Sequence, residues 1–375
     1  MSTATYPLPR RRTRQVQVGK LLIGGDATIT VQSMTKVPTH DVDAVIKQID
    51  DVQAAGCDII RLGIPDKKAA LALTEIKKRA RIPIVADIHF DHELALIAID
   101  AGVDKLRLNP GNIKKPEFVK KIVESAAAAK IPIRIGVNNG SIPHELRDKY
   151  PFTPDGNADA LVECALSHVT ILEELGFQDI VVSLKASDII TTVLAYRKMA
   201  AIRDYPLHIG ITEAGLAPTG LIRSAVGIGQ LLAEGIGDTL RVSLTGDPVA
   251  EVEAGWSILQ SLNMRPGGII ITSCPTCARC DINLEAITLE LTRKTEATGR
   301  KLRAAGKSLH VAVMGCEVNG PGEARDAEIG IAGGMHSGLL MKNGQIIARI
   351  KEADFVSRLL EEIEIETASI VLVSQ

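Results

Sequence analysis

Residues 82–109, IPIVADIHFDHELALIAIDAGVDKLRLN, contain one complete unit of the pattern that decides the fold. An apolar strand at 82–88 is followed by a polar turn, an amphipathic helix and a second strand at 105–109. Val, Ile and Leu are frequent in these strands without a clean alternation of apolar and polar positions, which is typical of parallel strands covered by helices. The stretch therefore predicts a βαβ unit.

The same unit recurs along the first two-thirds of the chain. Predicted strands lie at 30–34, 58–63, 82–88, 105–109, 132–137, 180–185, 207–212 and 239–244, each followed by a helical stretch. Eight such units in about 250 residues predict a TIM (β/α)8 barrel, and segment 16–28 is predicted to be a hairpin at its bottom. The rival fold, a doubly wound open sheet, would usually carry a glycine-rich phosphate loop after its first strand. Because Ser33-Met34-Thr35 stands there instead, the sequence favours the barrel.

The repeating pattern ends near Pro266. A strand at 268–271, a helix at 284–303 and a strand at 310–314 follow it, with further α/β units to the end of the chain. The sequence therefore predicts a barrel at 1–265 and a smaller α/β domain at 266–375.

Composition excludes several classes of protein. The 375-residue chain holds 43 Lys and Arg against 45 Asp and Glu, a formal net charge of -2, and its aromatic content is 3%. A nucleic-acid-binding protein would show a basic excess or aromatic stacking platforms, so no nucleic-acid partner is expected. No apolar run is long enough to cross a bilayer, and no apolar segment follows the basic stretch at 10–14, so we expect a cytoplasmic protein with no membrane partner.

Polar side chains stand where the predicted barrel strands end, which is where TIM barrels place their active sites. Five of them are cations, and so many at one mouth of a nearly neutral chain indicate an anionic ligand. Guanidinium groups match phosphate oxygens bidentately, which favours a diphosphate, although each cation alone could be a rim ion-pair partner. The candidate set is Arg61, Asp87, His89, Arg107, Asn109, Arg134, Asn138, Lys185, Glu213, Arg241 and Ser243.

Two members of this set are candidates for acid–base chemistry. Glu213, in ITEAG at 211–215, is a carboxylate among cations and could transfer a proton or orient an arginine. His89 could be a ligand, a proton donor or a buried hydrogen-bonded histidine. The residues alone do not decide between these roles.

Four of the six cysteines, Cys274, Cys277, Cys280 and Cys316, lie in the last third of the chain. In a cytosolic protein such clustering favours metal or redox chemistry over disulfides, and groups of four thiolates suit zinc or an iron–sulfur cluster. One ligand set uses all four cysteines. The other uses Cys274, Cys277 and Cys316 with an oxygen ligand, for which Glu323 is available across a short glycine-rich loop. Spacing alone leaves both open.

Four motifs carry a resemblance to a known family. They resemble motifs of the bacterial 4-hydroxy-3-methylbut-2-en-1-yl diphosphate synthases and follow one another in the same order. The four motifs are LRLNPGN at 106–112, GITEAG at 210–215, SCPTC at 273–277 and GCEVNGPGE at 315–323. These synthases are iron–sulfur enzymes of the methylerythritol phosphate route to isoprenoids. The likeness runs through nearly the whole chain.

The resemblance implies a specific chemistry. The barrel would bind the substrate, 2-C-methyl-D-erythritol 2,4-cyclodiphosphate, and the domain at 266–375 would hold a 4Fe–4S cluster. The cluster ligands would be Cys274, Cys277, Cys316 and Glu323, which leaves Cys280 as a departure from the family pattern. The diphosphate would lie among Arg61, Arg107, Arg134, Lys185 and Ser243, assisted by Asn109 and Asn138.

Further expectations follow from the same resemblance. The enzyme would reductively open and dehydrate its substrate with two electrons from reduced flavodoxin or ferredoxin, and would form a head-to-tail homodimer. Glu213 is the candidate proton donor to the leaving hydroxyl. The alternative is a zinc-stabilised barrel that binds or hydrolyses an anionic phosphate metabolite.

Overall fold

The computed structural model describes residues 7–113 and 115–372. The chain divides into two compact units, one ending at Met264 and the other beginning at Arg265. Among the helices of these described residues, none combines the length and the apolar character needed to span a bilayer.

The first unit is a barrel of eight parallel strands, which confirms the predicted fold class. Its strands are β3 (Thr30–Met34), β4 (Ile59–Gly63), β5 (Ile84–Asp87), β6 (Lys105–Arg107), β7 (Ile133–Asn138), β8 (Ile180–Lys185), β9 (His208–Ile209) and β10 (Thr239–Leu240), preceded by the hairpin β1 (Val16–Val18) and β2 (Leu21–Ile23). Neighbouring strands pair from β8 to β3 and onward to β10 and β9. An isolated bridge between Val182 and Leu207 joins β8 to the chain just before β9.

Helices between the strands cover the barrel. They are α1 (Val42–Ala54), α2 (Lys67–Arg79), α3 (His92–Asp100), α4 (Pro116–Ala129), α5 (His144–Asp148), α6 (Pro154–Glu174), α7 (Ile189–Ile202), α8 (Thr219–Ala233) and α9 (Pro248–Ser261). Several begin at an aspartate whose carboxylate accepts a first-turn backbone N–H, as Asp66 does for α2 and Asp188 for α7. Such caps satisfy amides that have no partner inside the helix, and so fix where each loop ends and its helix begins.

The bottom of the barrel is closed by the predicted hairpin. Val18 and Ile23 pack on Ile59 and Val85, which point into the lower barrel. The basic stretch before the hairpin is structural, because Arg10 forms an ion pair with Asp238.

Two barrel strands are shorter than the sequence predicts. The strands expected at 207–212 and 239–244 are regular only over β9 and β10. Past β10 the Leu244 N–H donates to the Glu251 carboxylate at 3.0 Å, where a longer strand would offer a carbonyl. Past β9 the chain turns at Glu213, whose φ is +54°. Single backbone bonds still continue past these strands, from Arg241 N to Ile209 O and from Thr212 N to Ala186 O, before the turn and the side-chain bond take over.

The second unit is a five-stranded sheet with helices packed on it. The strands β11 (Gly268–Ser273), β12 (Ser308–Met314), β13 (Ile329–Gly334), β14 (Ser337–Lys342) and β15 (Gln345–Lys351) are ordered as numbered. The first three are parallel, and β14 and β15 continue the sheet antiparallel. The helices are α10 (Leu284–Ala304), α11 (Gly320–Glu323) and α12 (Phe355–Leu372).

Candidate active site

The carboxyl ends of the barrel strands enclose a polar cavity of about 130 Å³, here called the cation cavity. Of the eleven candidates from the sequence, the structure brings nine together there and adds Thr212. The residues that line it are Arg61, Asp87, His89, Arg107, Arg134, Asn138, Lys185, Thr212, Arg241 and Ser243. Asn109 and Glu213 are the two that do not line it. These side chains converge because residues two apart on a strand point to the same side, here into the barrel.

Asp87 organises one side of the cation cavity. Its carboxylate oxygens lie 3.6 Å from Arg61 Nε and 3.3 Å from Arg107 Nη1, and 3.6 Å from His89 Nε2. Burial alone would raise the pKa of Asp87, but Arg61, His89 and Arg107 outweigh it and hold that pKa well below its usual range. Asp87 is therefore an ionised group that orients two arginines.

The opposite side carries positive charge without matching carboxylates. Arg134 and Lys185 are 2% and 6% exposed. Arg134 donates through Nη1 to Ser183 Oγ, but within the described part of the chain its Nε and Nη2 have no hydrogen-bond partner. Burial lowers the pKa of Lys185, and the neighbouring Arg134 lowers it further. Buried donors without acceptors are costly, and the oxygens of an anion would satisfy them.

Glycines allow these cations to approach the barrel wall. A Cβ on Gly136 would lie 2.8 Å from Arg107 Nε, and one on Gly210 would lie 2.8 Å from Lys185 Nζ. Any other residue at these two positions would displace a cation from the cation cavity.

Asn109 has a different position from the one expected. Its amide nitrogen donates to Gly136 O at 2.9 Å, and its amide oxygen accepts from Gly136 N at 2.9 Å. The side chain is buried and both polar atoms are engaged, so it ties the end of β6 to β7. Arg107 Nη2 donates to the same carbonyl at 2.7 Å. We infer that Asn109 is a positioning residue for Arg107.

Glu213 lies beside Thr212 but is exposed. Its φ of +54° is uncommon for a residue with a side chain, and such backbone strain is concentrated at functional sites. No ion-pair partner of Glu213 is found among residues 7–113 and 115–372. The plain ion-pair role that the sequence left open therefore has no support here.

Glu251 on α9 is a functional candidate that the sequence reasoning missed. It is 1% exposed, and its carboxylate accepts from Ser33 Oγ at 3.1 Å and Leu244 N at 3.0 Å. It also pairs with Lys36 at 3.0 Å and Arg241 at 3.4 Å. The Glu251 side chain thus links β3 to the segment that follows β10, and it also holds Arg241. The sequence signal that could have revealed Glu251 is a carboxylate at a helical position whose neighbours on the same face of α9 are apolar core residues.

Lys105 is a second buried cation that was not singled out. It lies on the same side of β6 as Arg107, is fully buried, and its Nζ has no hydrogen-bond partner among the residues described. Burial lowers its pKa to about 7, helped by the charges of Arg134 and Arg61. In the unfolded chain its pKa is near 10.5.

This difference predicts a pH dependence of stability. Between pH 7 and 10.5 the unfolded chain holds a proton on Lys105 that the folded chain lacks, so folding stability rises with pH in that window. We expect the free energy of unfolding of the ligand-free protein, relative to Lys105→Met, to increase by about 2–3 kcal/mol from pH 6 to pH 9. Urea denaturation at both pH values measures it. A difference that stays constant with pH would show that Lys105 is not a titrating group in the fold.

The four cysteines of the second unit lie at one edge of its sheet. Cys274 directly follows β11, and Cys316 follows β12 after Gly315. Because β11 and β12 are parallel and Ser273 pairs with Val313, both strands end at the same edge. Cys277 and Cys280 stand on the turn that leads from β11 to α10.

The sulfur atoms at this edge are in an environment that suits thiolate ligands. Gly315 N donates to Cys274 Sγ at 3.2 Å. Backbone N–H groups of Asn319 and Val318 lower the pKa of Cys316. Cys280 differs, since its Sγ is 3.3 Å from the Ile282 carbonyl, to which a thiol donates. These contacts fit Cys274 and Cys316 as cluster ligands, whereas Cys280 Sγ is engaged with a backbone carbonyl.

The candidate ligands are not gathered around a single point. Within the described ranges, no three His, Cys, Asp or Glu side chains converge tightly enough to hold one metal ion. Glu323 ends the short helix α11, seven positions after Cys316. A four-iron cluster is wider than a single ion, so its ligands do not need to meet at one position.

Comparisons with known proteins match both units. Residues 13–256 match the GcpE TIM-barrel domain, and residues 270–365 match the GcpE protein C-terminal domain. The 4-hydroxy-3-methylbut-2-en-1-yl diphosphate synthase (flavodoxin) of Geobacter sulfurreducens is 53% identical over 355 residues, which cover 95% of this chain and 98% of that protein.

Two further relatives carry the same name. Those of Caldanaerobacter subterraneus subsp. tengcongensis and Thermodesulfovibrio yellowstonii are 51% and 50% identical, each over 95% of this chain and 97% and 99% of their own lengths. Since the two family domains together span both units in the expected order, and since half of all aligned residues are identical, the chain belongs to the GcpE family.

Proposed function

We propose that this protein converts 2-C-methyl-D-erythritol 2,4-cyclodiphosphate to (E)-4-hydroxy-3-methylbut-2-enyl diphosphate. The observation that carries the proposal is the cation cavity, in which five cations face one carboxylate, Asp87, on the described lining. The overall reaction consumes two electrons and releases one water. The bond from carbon to the ring oxygen of the diphosphate breaks, and a hydroxyl leaves with a proton as water.

The barrel would supply binding and charge stabilisation. Arg134 offers phosphate oxygens the N–H groups of Nε and Nη2, which have no partner among the described residues. Arg61 and Arg107 are held in place by Asp87. When the ring opens, the diphosphate gains negative charge on the freed oxygen. Preorganised buried cations stabilise that charge more than water would, because they need no reorientation.

The second unit would hold the redox group. We assign Cys274, Cys277, Cys316 and Glu323 as ligands of a 4Fe–4S cluster, supported by the placement of the three cysteines at one sheet edge and by the N–H groups directed at two of the sulfurs. When bound, such a cluster supplies electrons one at a time. The electron donor would be reduced flavodoxin or ferredoxin.

Glu213 is the proposed proton donor to the leaving hydroxyl. We expect Glu213→Gln to lower kcat about 10²-fold, at the lower end of the range for general acids because the carboxyl is exposed and water can substitute. The iron content and the affinity for inorganic pyrophosphate should stay unchanged, since Glu213 does not line the cation cavity. Steady-state kinetics and calorimetric titration measure these quantities. Full turnover by an iron-loaded Glu213→Gln protein would exclude the role.

We further propose a head-to-tail homodimer in which each active site uses the barrel of one copy and the cluster domain of the other. The test mixes two inactive proteins, Arg134→Met and Cys316→Ser, after subunit exchange. If the sites are shared between copies, the mixture should regain up to about a quarter of wild-type activity, because one active site in each mixed dimer is intact. A mixture as inactive as its components would contradict shared sites.

The metal content separates the proposed function from a zinc-stabilised phosphate-binding barrel. Protein purified without oxygen should contain about four irons and four acid-labile sulfides per chain and a brown absorption that reductant bleaches. Stoichiometric zinc on a colourless protein that resists cluster reconstitution would reject the redox reaction.

A further inference from the structure

A second cavity adjoins the cation cavity. It has a volume of about 460 Å³, is open to solvent, and is lined by residues 34–39 at and after the end of β3 and 63–65 at and after the end of β4. Asp87 and His89 line both cavities, so the two are neighbours at the barrel mouth. We call this second space the apolar cavity.

The walls of the apolar cavity are suited to hydrocarbon. Met34, Val37, Pro38, Ile64 and Pro65 contribute apolar surface from its two loops. The volume lies within the range of about 300–1,000 Å³ that is usual for small-molecule sites.

Two polar side chains on these walls are already engaged elsewhere. Lys36 Nζ donates to Leu244 O at 3.0 Å and pairs with Glu251 at 3.0 Å. Thr39 Oγ1 donates to Gly63 O at 2.7 Å. The ammonium of Lys36 is therefore held by the loop after β10 and by Glu251. The positively charged side chains at the barrel mouth are concentrated in the cation cavity.

A small cyclic polyol diphosphate does not match such walls over their whole extent. Asp87 and His89 offer hydrogen-bonding groups only where the two cavities meet, and the Thr35 hydroxyl is buried. Along the rest of the two loops, hydroxyl groups of the ligand would lose water without gaining side-chain partners. A diphosphate with a longer branched hydrocarbon chain matches both cavities, since its head meets the cations and its chain covers the apolar walls.

We propose that the apolar cavity binds the chain of prenyl diphosphates longer than the five-carbon product, with their diphosphate in the cation cavity. Such compounds compete with the substrate, and the barrel mouth is a site for inhibition by isoprenoid end products. The inference rests on the proposed function, because it assigns the cation cavity to a diphosphate.

The test compares two probes on the iron-loaded protein by isothermal titration calorimetry. Geranyl diphosphate should bind at least about tenfold more tightly than inorganic pyrophosphate, because burial of its hydrocarbon chain in the apolar cavity removes apolar surface from water. Val37→Asn should abolish most of this preference and leave pyrophosphate affinity unchanged. Val37→Ile, the matched control, should keep it.

Because Val37 is half-buried against the barrel core, the exposed Pro65 on the neighbouring loop gives an independent variant. Pro65→Glu should also reduce geranyl diphosphate affinity without changing that of pyrophosphate. Equal affinity of the two probes for the wild-type protein would overturn the inference, as would a preference that both variants retain. The proposed function fails separately, if pyrophosphate does not bind the wild-type protein or binds Arg134→Met equally well.

Discussion

Arg134→Met should lower kcat/KM for the cyclodiphosphate by at least about 10³-fold. The guanidinium is buried in the wall of the cation cavity, where two of its nitrogens have no partner in the described part of the chain and a phosphate would meet them both. Removing one partner of a buried, hydrogen-bonded charge pair costs about 2–5 kcal/mol, and the added charge of the ring-opened diphosphate places this case at the upper end. Steady-state kinetics with the iron-loaded variant measure the effect.

The same substitution should leave the ligand-free protein at least as stable as before. In the free fold Arg134 donates to Ser183 and otherwise faces Arg61 and Arg107, whose charges disfavour it. Replacing an uncompensated buried charge by an apolar side chain relieves that cost. The matched control is Arg197→Met, which removes an exposed ion pair with Glu234. It should change neither kcat/KM nor the free energy of unfolding. A kcat/KM within threefold of wild type would show that Arg134 does not contact the substrate.

Cys316→Ser should abolish turnover and remove most of the iron and acid-labile sulfide. The Cys316 sulfur lies at the sheet edge beside backbone N–H groups that stabilise a thiolate, and a serine oxygen is a harder and more basic donor than iron–sulfur clusters require. Iron and sulfide analysis, with the visible spectrum of anaerobically purified protein, gives the result directly.

Cys280→Ser is the matched control, since it changes the same atom at the same edge. Cys280 contacts the Ile282 carbonyl and is not among the proposed ligands, so this variant should keep its iron and its colour. The assignment would be wrong if Cys280→Ser lost the cluster and Cys316→Ser retained it.

The barrel could be predicted from local pattern because each βα unit repeats the same signal. Apolar strands, polar turns and amphipathic helices are visible in the sequence, and the carboxyl ends of parallel strands meet by geometry. For this reason the sequence predicts nine of the residues that line the cation cavity, including Arg61 and Arg134.

What the sequence does not show is bonding between residues distant in the chain. The side-chain amide of Asn109, a predicted ligand contact, is bonded through its oxygen and its nitrogen to Gly136 on the next strand. The sequence does not reveal Glu251, because its four partners come from β3, the loop after β3 and the segment after β10, which the sequence does not show to be neighbours. Past the end of β10, the Leu244 N–H bonds to that carboxylate.

At the cysteine edge, spacing left two ligand sets open for a physical reason. Cys277 and Cys280 stand on one turn, so both are near any metal bound there, and the sequence does not show which sulfur donates a proton elsewhere. The contact of Cys280 with Ile282 and the amides near Cys316 distinguish them only once the fold is known.

The most direct test of the proposed reaction is a single-turnover experiment under anaerobic conditions. Chemically reduced, iron-loaded protein is mixed with 2-C-methyl-D-erythritol 2,4-cyclodiphosphate, and product and electrons are counted together. We expect (E)-4-hydroxy-3-methylbut-2-enyl diphosphate to appear with two electrons consumed per molecule formed. Ring opening by hydrolysis without electron consumption, or no conversion by fully loaded and reduced protein, would contradict the proposed function.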